Sequence, residues 1–223
     1  MRELRDHNGR MPCRLWYDEA EIDAIMEGEL RRSGTGRIGE GAVDVDAFIE
    51  SHLHITPEFV ELPRGVQGAT DFYRDGTVRM RISAVLAERA GRQEPGAEHL
   101  MRTTLAHEAA HVELHRILFL QQSEALFGSQ ASRQELCRDV RMIGRGYNGE
   151  WWEWQANRGM GALLLPRSEV IGIAGPWTAA ALRDGKLVQI IARRFQVSTQ
   201  AVCFRLEQIK GSPPNPRQAA LAF

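Results

Sequence analysis

Apolar residues recur at helical spacing in some segments of the chain and alternate in others, and these two periods divide it into elements. Asp18 with Glu21 makes a capping pair ahead of Ile22, Ile25 and Met26, so a helix begins near Asp18. Val45, Phe48, Ile49 and Leu53 share one face of a second helix over 44–53. Three short strands are predicted next, over 59–62, 68–73 and 77–83. The last alternates apolar and polar residues cleanly, and Arg74, Asp75 and Gly76 form a hairpin turn signal before it. A long helix over 99–120 is apolar nearly all round, with only the side of Glu113 and Arg116 suited to water, so it should be buried. Further helices are predicted over 133–143, 150–165 (stopped by Pro166), 187–195 and 198–210, the last capped by Ser198. The first dozen residues read as loose, 31–42 as a glycine-rich linker, 88–99 as a loop, and the tail after Lys210 as disordered in composition.

The expected fold class is α+β: mostly helical, with a small three-stranded antiparallel sheet packed by the long central helix. Three regions are expected: an N-terminal helix and linker (1–42), a core (43–175), and a C-terminal helical, helix-turn-helix-like extension with its tail (176–223).

Composition narrows the function more than the fold. A chain of 223 residues can bury a core without staples. Its net charge of −1 gives no global argument for nucleic acid or an anionic membrane. The glycines of 31–42 lack the order of a phosphate loop. Cys13, Cys137 and Cys203 are odd in number and form no CxxC pair, which argues against a thiolate metal site or a disulfide framework. A reducing, cytoplasmic location is expected. The N-terminus has no apolar signal region, and no run of about 18 apolar residues spans a membrane.

The chemistry concentrates in the central helix, which contains His107-Glu108-Ala109-Ala110-His111. Histidines four apart lie on one helical face, and both imidazoles can reach one cation. Glu108 points about 100° away in projection. It is placed to act as general base on water activated by the metal, not to ligate. Burying such groups without partners would cost several kcal/mol, roughly, and a metal is the simplest compensation. A catalytic zinc site wants a third protein ligand. The metzincin pattern fails, because Leu114 and Ile117 stand where Gly and His would be needed. The remaining choice is a glutamate on a later helix, either Glu153 or Glu150; Glu153 is preferred, with Asn157 on its face as a hydrogen-bonding support. His115 could orient substrate or steady Glu108, and Tyr147 or Tyr73 could stabilise an oxyanion. Zinc suits two imidazoles and a carboxylate, with manganese the alternative.

Several blocks together resemble the ImmA/IrrE family of metallopeptidases. VDVDAFIESHLHI followed by ELPRGVQGATDFYRDGTVRMRIS looks like its helix and small sheet, and LAHEAAHVELH looks like its active-site helix with the trailing histidine. EWQANRGMGALLLP is similar to its second block, and ARRFQVSTQAVCFRLEQI to its C-terminal helix pair. The resemblance covers roughly 43–210 and implies a gluzincin-like fold with Glu153 as third ligand. It also implies a protein substrate, a helix-turn-helix repressor of a mobile element or stress response whose cleavage relieves repression. Ala110 departs from a frequent Gly, 116–149 is long for the family, and Arg158-Gly159-Met160-Gly161 replaces a common Phe-Ala-Ala. Those glycines either loosen the helix or admit close packing.

On this reading an exposed edge of the strand at 77–83 could hold substrate as an added strand. The alternative is a DNA- or protein-binding regulator in which 187–210 act as a helix-turn-helix and the metal site is structural. Few base-reading residues at 196–200 and the near-neutral charge speak against direct nucleic-acid binding.

Overall fold

A computed structural model describes residues 1–5, 13–39, 41–73, 75–121, 133–136, 150–175 and 183–211. The N-terminal residues expected to be loose instead form a ribbon: β1 (Arg2–Arg5) pairs antiparallel with β2 (Cys13–Trp16). Burial of Cys13 and Leu15 ties β2 to the core. Helix α1 (Glu19–Ser33) starts with the predicted capping box on Asp18 and Glu21 and ends at Gly34, whose φ of 60° is left-handed. The glycine-rich linker holds a short hairpin, β3 (Arg37–Ile38) and β4 (Ala42–Val43). Helix α2 (Val45–Ala47), capped by Asp44, runs on into a π-helix, Phe48–His52, so the predicted second helix is present with a wider final turn.

The sheet corrects the three-stranded antiparallel expectation. It has four strands in the order β5 (Glu58–Val60), β7 (Val78–Ser83), β6 (Gly68–Tyr73) and β8 (Arg133–Leu136), with β5 parallel to β7. The β6–β7 hairpin forms as predicted, its turn set by Asp75 accepting from the Thr77 amide and by Gly76 at φ 85°. The connection 61–67 lets β5 reach the far edge of β7. β7 is therefore paired along one edge by β6 and over 81–83 of the other by β5, so among the described residues only 78–80 keep an unpaired edge for a substrate strand. Residues 133–136, expected in a helix, pair with β6 with Leu136 opposite Thr70; long-range pairing overrides local helical preference. The rest of that predicted helix lies outside the described residues, as does the tail after Gly211.

Helix α3 (Ala84–Gly91), capped by Ser83, takes the first four residues of the predicted 88–99 loop, and α4 (Ala97–Gln121) is the long central helix. After it come α5 (Trp151–Leu164), α6 (Arg167–Ala174), α7 (Gly185–Phe195) and α8 (Thr199–Gly211). The molecule is thus α+β and mostly helical, as expected. Among the described residues no helix is long and apolar enough to cross a membrane.

Packing sets where the chemistry goes. Along β6, Gly68, Thr70 and Phe72 share the face toward α4 with Met80 and Ile82 of β7, and Phe72 stacks on Phe119 at 4.2 Å. On its other side α4 meets α5, where a Cβ at Gly159 would stand 2.8 Å from the Ala110 Cβ. That glycine admits close helix approach, which decides between the two roles expected for it. α8 is anchored by the buried Arg205, which pairs with Asp23 of α1 at 2.7 Å and donates to the Leu165 carbonyl at 2.9 Å.

Candidate metal centre

The 3.6-residue period of α4 aligns His107, His111 and His115 in one stripe facing α5, and all three are wholly buried. Glu153, in the first turn of α5, reaches the same point. Its Oε2 lies 3.2 Å from His107 Nε2 and its Oε1 lies 3.6 Å from His111 Nε2, while the two Nε2 atoms are 3.0 Å apart. Glu150, the other candidate, stands outside this group at the N-cap of α5.

Glu108 faces the sheet. Thr70 donates to its Oε2 at 2.6 Å, and its Oε1 is buried without a hydrogen-bond partner among the described residues. A Cβ on Gly68 would fall 2.6 Å from that Oε1, so only glycine lets β6 lie this close to the carboxylate.

The charges follow from this placement. Burial alone would raise the Glu153 pKa, but His111 and His107 beside it hold the carboxyl far below the ordinary range. Burial would lower His107; the hydrogen bond and charge of Glu153 outweigh it, and the pKa is raised. Burial raises Glu108, with the two imidazoles and the Thr70 hydroxyl only partly offsetting it. His115 is pushed down to about 3 by burial and by His111, so it is a neutral imidazole.

The donor set fits a divalent cation. Its ligand atoms all lie within 4.8 Å of one another on buried side chains. Tetrahedral ligands about 2.0–2.1 Å from zinc stand about 3.3 Å apart, and the separations of 3.0, 3.2 and 3.6 Å bracket that spacing.

Asn157 lies one turn beyond Glu153 and is the weakest of the groups that raise the His107 pKa. Its Oδ1 and His107 Nδ1 are both buried and neither makes a hydrogen bond among the described residues. His115 does not face Glu108; it contacts His111 and Gln155. Tyr73 lies beside Arg79 toward the turn of the hairpin, and Tyr147 falls outside the described residues. Trp151 and Trp152 are core residues, and Trp154 stacks on Trp16 at 5.2 Å.

Sequence reasoning missed Thr70, Gly68 and Gln155. The signal for the first was a polar residue at an inward register position between Gly68 and Phe72. For Gln155 it was an uncharged polar residue set among apolar ones on a buried helix.

Residues 97–207, which hold all of α4 and α5 and nearly all of the C-terminal helix pair, match the family model for the IrrE N-terminal-like domain. No curated protein matches the chain. The match spans both helices that build the histidine–glutamate centre, and the chain belongs to the ImmA/IrrE family of peptidases.

Proposed function

We propose that the protein is a zinc-dependent endopeptidase whose substrate is a protein, a helix-turn-helix repressor cleaved to relieve transcriptional repression. The observation carrying the peptidase reading is the convergence of His107, His111 and Glu153 beside a buried, partly unsatisfied Glu108. The repressor as substrate, and zinc over manganese, rest on family likeness and on the donor set respectively. Three cysteines, odd in number and without a CxxC pair, fit action in a reducing cytoplasm. We assign 43–175 as a peptidase core of gluzincin type, 1–42 as an N-terminal appendage and 176–223 as a C-terminal extension.

His107, His111 and Glu153 would hold the cation. Such a cation supplies Lewis acidity, making water more acidic and a carbonyl more electrophilic. Glu108 takes a proton from the attacking water at Oε1, while Thr70 fixes Oε2. Burial raises the basicity of Glu108, so it can hold that proton and pass it to the leaving amine. Asn157 supports the His107 ring, and Gly68 leaves room for the carboxylate.

Glu108→Gln tests this directly. It should retain metal and lose cleavage by about 10²–10⁴-fold. Unchanged cleavage of a verified repressor substrate would end the assigned mechanism. The alternative, with 187–210 reading DNA, must accommodate the engagement of Arg205 inside the fold. It predicts salt-dependent DNA binding that survives chelation, read by mobility shift.

A further inference from the structure

A chain of hydrogen bonds runs from His111 away from Glu153 and ends at the backbone of the N-terminal ribbon. His111 Nδ1 lies 3.1 Å from His115 Nδ1, and His115 Nε2 lies 3.1 Å from Gln155 Oε1. Gln155 Nε2 donates to the Leu15 carbonyl at 2.8 Å. His111, His115 and Gln155 are wholly buried and Leu15 is 2 % exposed, so water does not compete along the chain.

With one proton on each imidazole, only one arrangement satisfies every link. A carbonyl can only accept, so Leu15 fixes the Gln155 amide with its nitrogen toward β2. Gln155 then presents its oxygen to His115, which must carry its proton on Nε2. A neutral His115 so protonated has a bare Nδ1, and His111 must donate to it from its own Nδ1. That leaves His111 Nε2 as a lone pair aimed at His107 and Glu153. Flipping the Gln155 amide would set two acceptor oxygens against each other at Leu15 and reverse both imidazoles, placing a proton where a metal would bind.

We infer that Gln155 and His115 are positioning residues, and that the Leu15 carbonyl of β2 sets, through them, which nitrogen of His111 is free to ligate. The inference deepens the metallopeptidase reading and rests on it for the identity of the ligand at Nε2. It gives the N-terminal ribbon, outside the matched 97–207 segment, a role in the centre.

Two measurements test it. Long-range proton–nitrogen spectra of metal-free, histidine-labelled wild-type protein at pH 8 should show His115 protonated on Nε2 and His111 on Nδ1. Zinc affinity, by competition with a chromogenic chelator, should fall about 10–100-fold in Gln155→Met, which keeps the volume and removes both hydrogen bonds. His115 found with its proton on Nδ1, or wild-type zinc affinity in a folded Gln155→Met protein, overturns the relay. The tautomer spectrum needs no variant, so it decides the matter even where Gln155→Met does not fold. Failure of wild-type protein to bind zinc would instead overturn the metal reading, and the tautomer spectrum would still judge the relay on its own.

Discussion

His107, His111 and Glu153 converge on one flank of α4, while Glu29, His52 and Glu113 converge on another, and both groups bring their donor atoms within 4.8 Å. Spacing and residue type barely distinguish them: His52 Nε2 lies 3.1 Å from Glu29 and 3.5 Å from Glu113. Surroundings do. The side chains of the second group are 14–20 % exposed, and Arg32 already engages both oxygens of Glu29. Its charge is balanced by a guanidinium, with water in reach. In the first group the histidines are wholly buried, and Glu153 is held in its charged form only by the two imidazoles. Glu113, by contrast, is pushed up to about 7 by burial and by the neighbouring Glu29. A cluster of donors is a candidate metal centre when burial removes the alternatives, and an ion-pair network when an arginine and solvent supply them.

The comparison breaks most readily under chelation. Metal at about 100 times its Kd should stabilise the fold by about 2.7 kcal/mol, or about 5–10 °C in Tm. His107→Ala should abolish that increment and His52→Ala should keep it; thermal unfolding with and without chelator reads both. The reverse pattern would exchange the two assignments.

Close approach of α5 is the next test, because α5 carries Glu153. Gly159→Ala gains about 1 kcal/mol of helix propensity but drives a methyl into Ala110, an overpacking cost of about 1–3 kcal/mol. With backbone on both sides of the contact the clash should win, lowering both Tm and metal affinity. A rise in Tm with unchanged affinity would mean that the helices separate freely and that their spacing does not position Glu153.

Smaller effects are expected at the partly buried cluster. His52→Ala should cost about 1 kcal/mol, as the loss of a hydrogen bond within reach of water does, measured by denaturant unfolding. Its pH response has a definite sign. Glu113 has a folded pKa of about 7, above its ordinary value of 4.5. The native state therefore binds the proton more tightly, and this contribution to stability is present below about pH 4.5 and is lost as pH rises through about 7. Glu113→Gln should flatten stability across that window, and an unchanged slope would assign the response to another group.

How far the site was legible depended on sequence distance. His107, Glu108 and His111 announce themselves because polar residues at i, i+1 and i+4 stand out in a helix that is otherwise apolar. Glu153 was reachable because it opens the next strongly patterned helix with Asn157 one turn on. Thr70 and Gly68 were not, since their meeting with Glu108 across 38 and 40 positions depends on how the sheet lies on α4. The strand at 133–136 was missed for the same reason: its conformation comes from pairing with β6, not from its own residues. α3 was missed differently, because Ser83 was read as the end of a strand and not also as the cap of a helix.

Metal content tests the central claim most directly. Purified wild-type and His52→Ala proteins should each carry one divalent cation per chain by elemental analysis, and Glu153→Ala should carry none. Cation retained in Glu153→Ala, or lost in His52→Ala, would place the metal elsewhere and contradict the account.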